Sequence, residues 1–416
     1  MFHTPVVLRS VVSCLLPPTL LSMLVACAGP ARDSVIVEPA AAEPTSLRAA
    51  VTDPTGRRVV LPNGMELASI ELGDPQGEPV LFLHGYTDTV RSFDGTMRAL
   101  AARRPDLRLI AYDLRGHGAS ALPDPARCAP APEQCFTLAE LAADAVGFLD
   151  RLGIERAHVV GHSLRSMVAQ ELAITAPQRV DRVVLIATAV RTAGHPTLDF
   201  MLELVEVEWR KLAEERGLAF PNELYAETPL DLHPEMERWM HDNWVDWVVE
   251  PAADPGLIAA IIPETMRIPL GTWIGVPRAL RSFDNRERLG AISAPVLVLF
   301  ATQDRLFTEA DQVELRTALD RAELPCESSW TWKEYGRLPL PTDGSPGFDL
   351  AHNFNWAIPD AIAQDLAGFL RPGGAPTRDR VFADPRAGLV VDAGLARIER
   401  SVHCAPAEDR AVVEVP

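Results

Sequence analysis

Five short apolar runs recur along the chain. They are PVLFLHG from residue 79, LRLIAYD from residue 107, AHVVGHS from residue 157, RVVLIATA from residue 182 and PVLVLFA from residue 295. Because these runs lack the alternation of half-exposed strands, they are typical of strands buried on both faces of a sheet. Ahead of them, RRVVLPNGMELASIEL contains two strand-like runs joined by Asn63-Gly64, a dipeptide that favours a hairpin.

Helical patterns lie between the apolar runs. Thr137 followed by Glu140 forms a capping box. The apolar residues after it recur at helical spacing: Leu138, Leu141, Phe148, Leu149 and Leu152. The segment MVAQELAI, after Ser163, is another helix candidate. Strands that alternate with helices predict an α/β fold, in which a mostly parallel sheet carries helices on both faces.

The alternation stops between about residues 190 and 285. This stretch has helical patterns without apolar strands, and it holds five of the eight tryptophans: Trp209, Trp239, Trp244, Trp247 and Trp273. We predict a helical cap with an apolar inner surface, although some of these tryptophans need only pack the cap onto the sheet. Beyond residue 371 the tail is rich in Gly, Pro and charged residues, with two strand-like pieces and no role that the sequence indicates.

The first 26 residues have the layout of a secretory signal peptide, an apolar run after Arg9 that ends in small residues. Leu24-Val25-Ala26-Cys27 resembles a bacterial lipobox, in which Cys27 becomes the first mature residue and carries acyl chains. Ala28 in place of an aspartate is typical of sorting to the outer membrane. We therefore expect an exported protein with a lipid anchor at Cys27 and a flexible tether over residues 27–54. A buried N-terminal helix is the alternative.

Composition and charge exclude several classes of function. Hydrophobic residues make up 47% of the chain and charged residues 23%, the balance of a folded protein. The net charge of -18 argues against a nucleic-acid binder, which needs a basic face. Neither a G-x-x-x-x-G-K-[ST] nor a G-x-G-x-x-G layout occurs, so nucleotide cofactors are not expected. The sequence leaves the oligomeric state open.

Four cysteines lie beyond the signal peptide and the lipobox: Cys128, Cys135, Cys326 and Cys404. An even number in an oxidising compartment suggests two disulfides. Cys128 and Cys135 flank a short loop, so their pairing is favoured, and Cys326 would then pair with Cys404. Buried thiols are the alternative.

Polar residues follow the apolar runs at the edge where parallel sheets place their reacting groups. Ser163 follows the third run, Asp304 follows the fifth, and His352 lies in a loop after a further strand near residues 328–332. A serine hydroxyl becomes a nucleophile when an imidazole takes its proton and a carboxylate orients the imidazole. The sequence therefore predicts that Ser163, His352 and Asp304 act together. Asp199, inside the cap, is a poor second choice for the acid.

The order Ser, Asp, His and the motifs FLHG, YDLRGHG, GHS, PVLVLFATQD and AHNF resemble the α/β-hydrolase family. The resemblance covers residues 55–371. It implies a carboxylesterase-like or lipase-like serine hydrolase that cleaves esters of apolar small molecules through an acyl-enzyme, without metal or cofactor. It also supplies the oxyanion hole, from the backbone N–H groups of Tyr86 and Leu164. His84 and His162 match motif positions of the family whose side chains have a structural role, so the resemblance implies that they hold loops in place and do not transfer protons. A peptidase or acyltransferase of the same fold is an alternative.

Arg165 departs from the family pattern G-x-S-x-G, because it stands where the second glycine belongs. A buried guanidinium must find a carboxylate, reach water or distort the turn. An active enzyme could turn Arg165 outward. The alternative is a catalytically impaired relative that binds a small apolar ligand beneath the cap.

One set of residues has a spacing that could suit a metal. His233, Glu237 and His241 recur every four residues, so that a helix would align them. The H-E-x-x-H spacing is absent, and a solvated face of a cap helix explains the pattern better. We therefore predict no metal site.

Overall fold

A mostly parallel β-sheet forms the centre of the protein. The computed structural model describes residues 56–232, 238–240, 242–243, 250, 253–322, 329–336 and 350–376, together with four short strands of the tail. The strands are β1 (Arg57–Val60), β2 (Glu66–Gly73), β3 (Glu78–Leu83), β4 (Leu107–Tyr112), β5 (Ala157–His162), β6 (Val180–Ile186), β7 (Val296–Ala301), β8 (Ser329–Tyr335), β9 (Val381–Asp384), β10 (Leu389–Asp392), β11 (Ile398–Val402) and β12 (Val413–Glu414).

The sheet has the strand order β1-β2-β4-β3-β5-β6-β7-β8-β11-β12 within the described residues. All neighbours from β4 to β8 pair in parallel, whereas β1, β2, β11 and β12 pair antiparallel with their neighbours. The five apolar runs of the sequence are β3 to β7, as predicted. The hairpin prediction at Asn63-Gly64 is also confirmed, because β1 and β2 pair in the register Arg57 to Ser69.

Helices join the strands and cover the sheet. They are α1 (Asp94–Arg103), α2 (Pro125–Cys128), α3 (Leu138–Arg151), α4 (Leu164–Thr175), α5 (Pro196–Arg216), α6 (Pro229–Leu232), α7 (Pro255–Thr265), α8 (Leu270–Leu280), α9 (Glu309–Arg321), α10 (Phe354–Ala357) and α11 (Pro359–Phe369). Helix α3 begins where the sequence predicts, since the Thr137 side chain accepts a hydrogen bond from the Glu140 N–H at 3.2 Å.

Strand β3 shows that both faces of the sheet are buried. Leu81 and Leu83 belong to a core cluster that includes residues of α3 and α4. Val80 and Phe82, which alternate with them, belong to a second cluster that includes residues of α1 and α11. Because alternate side chains of a strand point to opposite faces, these two clusters lie on opposite sides of the sheet. The predicted α/β architecture is therefore confirmed.

The helices α5 to α8 form the predicted cap between β6 and β7. Their apolar side chains make a cluster that contains the fully buried Trp209 and Trp273. Trp239 is partly buried against the same cluster. Trp244 and Trp247 lie outside the described residues, as do His233, Glu237 and His241.

The tail contains more strands than the sequence indicates. Four short strands are described instead of two, and β11 pairs antiparallel with β8 at the side of the main sheet. Strands β9 and β10 form a separate two-stranded sheet. Helix α11 ends at Phe369, close to the boundary expected at residue 371.

Cys128 and Cys135 form a disulfide, as predicted. Cys326 and Cys404 lie outside the described residues, as do the signal peptide, Cys27 and the tether. Within the described ranges, no single helix is long and apolar enough to cross a membrane, although the bent pair α7 and α8 together meet the criterion of length and composition.

Candidate active site

Ser163 occupies a sharp turn between strand β5 and helix α4. Its backbone angles are φ 53° and ψ -128°, a conformation uncommon for a residue other than glycine. Gly161 makes the turn possible, because a Cβ atom there would lie 2.4 Å from the carbonyl oxygen of Arg165. Position 161 therefore requires a residue without a Cβ atom.

His352 connects Ser163 with Asp304. The His352 Nε2 atom lies 2.7 Å from Ser163 Oγ, and His352 Nδ1 lies 2.9 Å from Asp304 Oδ2. Because a carboxylate only accepts, Nδ1 carries the proton and the neutral Nε2 can accept one from the serine hydroxyl. The other Asp304 oxygen accepts the N–H groups of Leu306 and Phe307, at 2.8 and 3.0 Å. The three residues that the sequence placed at separate strand ends thus lie in one chain of hydrogen bonds.

His84 and His162 contact backbone groups of the loops around the site. His84 donates from Nδ1 to the Gly85 carbonyl at 2.9 Å and accepts the Leu114 N–H at Nε2. Burial lowers the pKa of His84 well below its usual value, which matches a neutral ring. His162 donates from Nε2 to the His352 carbonyl at 3.1 Å. Both rings therefore bridge loops, in agreement with the expectation that they do not move protons.

Asp113, in the YDLRGHG motif, is a buried acid to which the sequence assigned no role. Its two oxygens accept the N–H groups of Val90 at 2.8 Å and Ala119 at 2.9 Å. Gly118 is necessary beside it, because φ there is +50° and a Cβ would lie 2.2 Å from an Asp113 oxygen. Burial raises the pKa of Asp113 to about 7. Asp113 thus connects the loops after β3 and β4.

Arg165 does not turn outward, so this way of accommodating the side chain is excluded. The side chain is 0% exposed, and its Nε, Nη1 and Nη2 atoms have no hydrogen-bond partner among the described residues. Burial lowers the pKa of Arg165 to about 9, which leaves the guanidinium protonated at neutral pH. Among the described residues no carboxylate forms an ion pair with Arg165, and the side chain is not exposed at the surface. The hydrogen bond between His352 and Ser163 is nevertheless in place, so the burial of Arg165 has not separated the two.

An apolar pocket opens at Ser163. Helix α5 contributes Leu198, Met201, Leu202 and Val205, which share one helix face, and α8 contributes Trp273, Pro277 and Leu280. Tyr86, Leu164, Leu306 and Phe307 complete the lining. None of these residues is charged, and the Tyr86 hydroxyl donates to the Trp273 carbonyl at 2.5 Å. The pocket therefore suits an uncharged apolar group.

The two backbone N–H groups expected to form an oxyanion hole belong to residues that line this pocket beside Ser163. Leu164 is the first residue of α4, and N–H groups in the first turn of a helix have no acceptor within the helix. Tyr86 lies in the loop after β3. Among the described residues, no group of three or more His, Cys, Asp or Glu side chains could hold a metal ion.

Comparison with known proteins agrees with this geometry. A family model described as the alpha/beta hydrolase fold matches residues 78–329, which is more than half of the chain. The chain belongs to the α/β-hydrolase fold family. RutD of Azorhizobium caulinodans, a proposed carbamate hydrolase, is 28% identical over 294 residues, which cover 70% of this chain and 91% of RutD.

Two further similar proteins are also named as enzymes that hydrolyse their substrates. The 3-oxoadipate enol-lactonase 1 of Acinetobacter baylyi is 25% identical over 244 residues, covering 58% of this chain and 78% of the lactonase. Among solved structures, a hydrolase from Pseudomonas aeruginosa aligns with a TM-score of 0.54 at 23% identity, covering 76% of this chain and 98% of that one. At that identity the structural likeness shows the shared fold alone.

Proposed function

We propose that this α/β-hydrolase is a serine hydrolase that cleaves carboxylic esters of uncharged apolar molecules. The distance of 2.7 Å from His352 Nε2 to Ser163 Oγ carries the proposal. Ser163 Oγ attacks the ester carbonyl carbon while its proton moves to His352 Nε2. The alkoxide leaving group takes that proton as the bond from carbon to oxygen breaks, which leaves an acyl group on Ser163. Water, activated by the same imidazole, then releases the acid.

The proposed oxyanion donors are the N–H groups of Tyr86 and Leu164. Negative charge develops on the carbonyl oxygen as Ser163 attacks, and fixed donors stabilise it in a site that excludes water. Asp304 keeps the His352 ring in the required tautomer and stabilises the imidazolium that forms. The uncharged lining of the pocket supports an apolar acyl group. RutD and the enol-lactonase are named for carbamate and lactone hydrolysis, so the acyl preference rests on the pocket and not on these relatives.

The sequence also suggested two alternatives to an esterase. Arg165 motivates a catalytically impaired relative that binds a small ligand, but the contacts among Ser163, His352 and Asp304 favour an enzyme. A peptidase or an acyltransferase would use the same three residues. Turnover of uncharged p-nitrophenyl esters distinguishes an enzyme from the binding protein. Comparison with the matching p-nitroanilides, and with acyl transfer to an added alcohol, distinguishes an esterase from a peptidase and an acyltransferase.

We also propose that the protein is exported and held by lipid on Cys27 at the outer membrane. The disulfide between Cys128 and Cys135 supports an oxidising compartment, since cytosolic thiols are usually kept reduced. Incorporation of labelled palmitate that is lost in Cys27→Ser tests the anchor.

Labelling by a fluorophosphonate probe tests the proposed nucleophile. We expect labelling of the wild type, none of Ser163→Ala, and unchanged labelling of Ser282→Ala, which removes an exposed hydroxyl. His352→Gln should lower ester turnover by about 10⁴-fold, since the serine loses its base. Folded wild-type protein that is neither labelled nor able to hydrolyse esters would favour the binding protein.

A further inference from the structure

The loop that carries the Tyr86 N–H has an unusual backbone. Thr87, directly after Tyr86, has φ +65°, in the left-handed region that residues other than glycine seldom adopt. Such conformations persist only where surrounding contacts hold them. The position of the proposed oxyanion donor therefore depends on whatever fixes the backbone at Thr87.

The end of cap helix α7 makes those contacts. The Thr265 hydroxyl donates to the Thr87 carbonyl at 2.9 Å. Beside it, Glu264 Oε2 accepts the Thr89 hydroxyl at 2.6 Å, and Glu264 Oε1 accepts two N–H groups of Arg91 at 2.8 and 2.6 Å. Two adjacent cap residues thus contact three positions of the loop that follows Tyr86.

The ion pair between Glu264 and Arg91 is shielded from water. The side chains are 16% and 22% exposed. Because both Glu264 oxygens are bound, the carboxylate fixes the side chains of Thr89 and Arg91 together, and charge-assisted bonds of this kind are stronger than neutral ones. Thr89 also accepts the Arg91 N–H at its hydroxyl, at 3.3 Å. The loop therefore cannot shift without breaking contacts to the cap.

We propose that Glu264 and Thr265 are positioning residues: from the cap, they hold the loop that presents the Tyr86 N–H to the oxyanion. The inference rests on the proposed function and adds a role for the cap beyond enclosing the acyl group. Chemistry at Ser163 would then depend on the cap being in place. Neither residue touches the substrate, and both act through the backbone of the loop.

A matched pair of variants tests the role of Glu264. Glu206, on α5, is 19% exposed and accepts Arg278 Nε at 2.6 Å, but no contact links it to the loop after β3 among the described residues. We expect Glu264→Ala to lower kcat and the rate of fluorophosphonate labelling by about 10- to 100-fold, with KM within about twofold, since small displacements of an oxyanion donor have effects of this size. Glu206→Ala should leave kcat and labelling within about twofold.

Thr265 supplies a second test if Glu264→Ala fails to fold. Thr265→Val keeps the shape and removes the hydroxyl, so kcat should fall with KM unchanged, and Thr265→Ser should restore it. Equal kcat in the Glu264 and Glu206 variants would overturn the inference. So would a Thr265→Val variant whose kcat returns to the wild-type value at lower temperature, because its defect would then be one of stability. Wild-type protein without labelling at Ser163 would instead overturn the proposed function.

Discussion

Two of the buried arginines, Arg115 and Arg165, lie in surroundings that differ completely. Arg115 is 2% exposed, donates to Asp144 from Nε and Nη2 at 2.7 and 2.6 Å, and donates to the Cys135 carbonyl at 2.7 Å. Arg165 is 0% exposed and has no hydrogen-bond partner among the described residues. The two residues therefore show the same buried cation in two settings, with a carboxylate beside Arg115 and without one beside Arg165.

The pKa values of the two guanidinium groups move in opposite directions. Burial acts to lower the pKa of Arg115, but hydrogen bonds and charge from Asp144 outweigh it and raise that pKa. For Arg165 burial prevails and lowers the pKa to about 9. Both groups stay charged at neutral pH, but only Arg115 of the two has a carboxylate that offsets the loss of solvation.

Breaking the paired site should have the largest effect. Asp144→Ala leaves the buried Arg115 with only Glu140, 3.2 Å from its Nη1 atom, as a carboxylate partner. We expect a loss of about 3–5 kcal/mol in the free energy of unfolding, measured by urea denaturation. Asp150→Ala is the control on the same helix, because Asp150 is 52% exposed and its pair with Arg179 should contribute less than about 1 kcal/mol. Similar losses in both variants would contradict the distinction between buried and exposed pairs.

Removing the unpaired cation should have the opposite sign. Arg165→Met keeps much of the side-chain volume and removes the charge, so we expect the free energy of unfolding to rise by about 1–3 kcal/mol. Arg115→Met should lower it, because Asp144 then loses its partner. Arg165→Gly should gain less than Arg165→Met, since glycine within a helix costs about 1 kcal/mol. A destabilised Arg165→Met would show that the guanidinium is well accommodated.

Asp113 is a buried acid whose two carboxyl oxygens accept hydrogen bonds from backbone N–H groups, and its charge, like that of Arg165, has no opposite charge bound to it among the described residues. Its pKa in the folded protein is about 7, above the ordinary value of 3.8. The folded state therefore binds the proton more tightly, and the associated stability is present below pH 3.8 and lost as the pH rises through 7. From pH 5 to pH 6 the stability of the wild type, relative to Asp113→Asn, should fall by about 1 kcal/mol. A flat difference would contradict the raised pKa.

The sequence sufficed for the sheet and for the three residues at its strand ends. Ser163, Asp304 and His352 could be found because parallel strands bring their carboxyl ends to one edge, whatever their separation along the chain. The cap contacts could not be found. Glu264 and Arg91 are 173 residues apart, and no local pattern connects a cap helix with the loop after β3.

Arg165 shows a different limit of the sequence. A charged side chain is normally exposed, so an outward orientation was one way in which an active enzyme could accommodate Arg165. The direction of a side chain in the first turn of α4 is fixed by the packing of that helix on the sheet, which the local sequence does not contain. Gly161, in contrast, follows the family pattern, and its backbone lies so close to that of Arg165 that a Cβ atom would clash there.

Strand β11 has a consequence for how this protein can be shortened. It pairs with β8 from Ser329 to Lys333, with Ile398 opposite Lys333 and Val402 opposite Ser329. Ending the chain after α11, where the family resemblance stops, would leave the N–H and C=O groups on that side of β8 open to any extended strand nearby. We therefore expect a chain shortened in this way to aggregate more readily than the full chain.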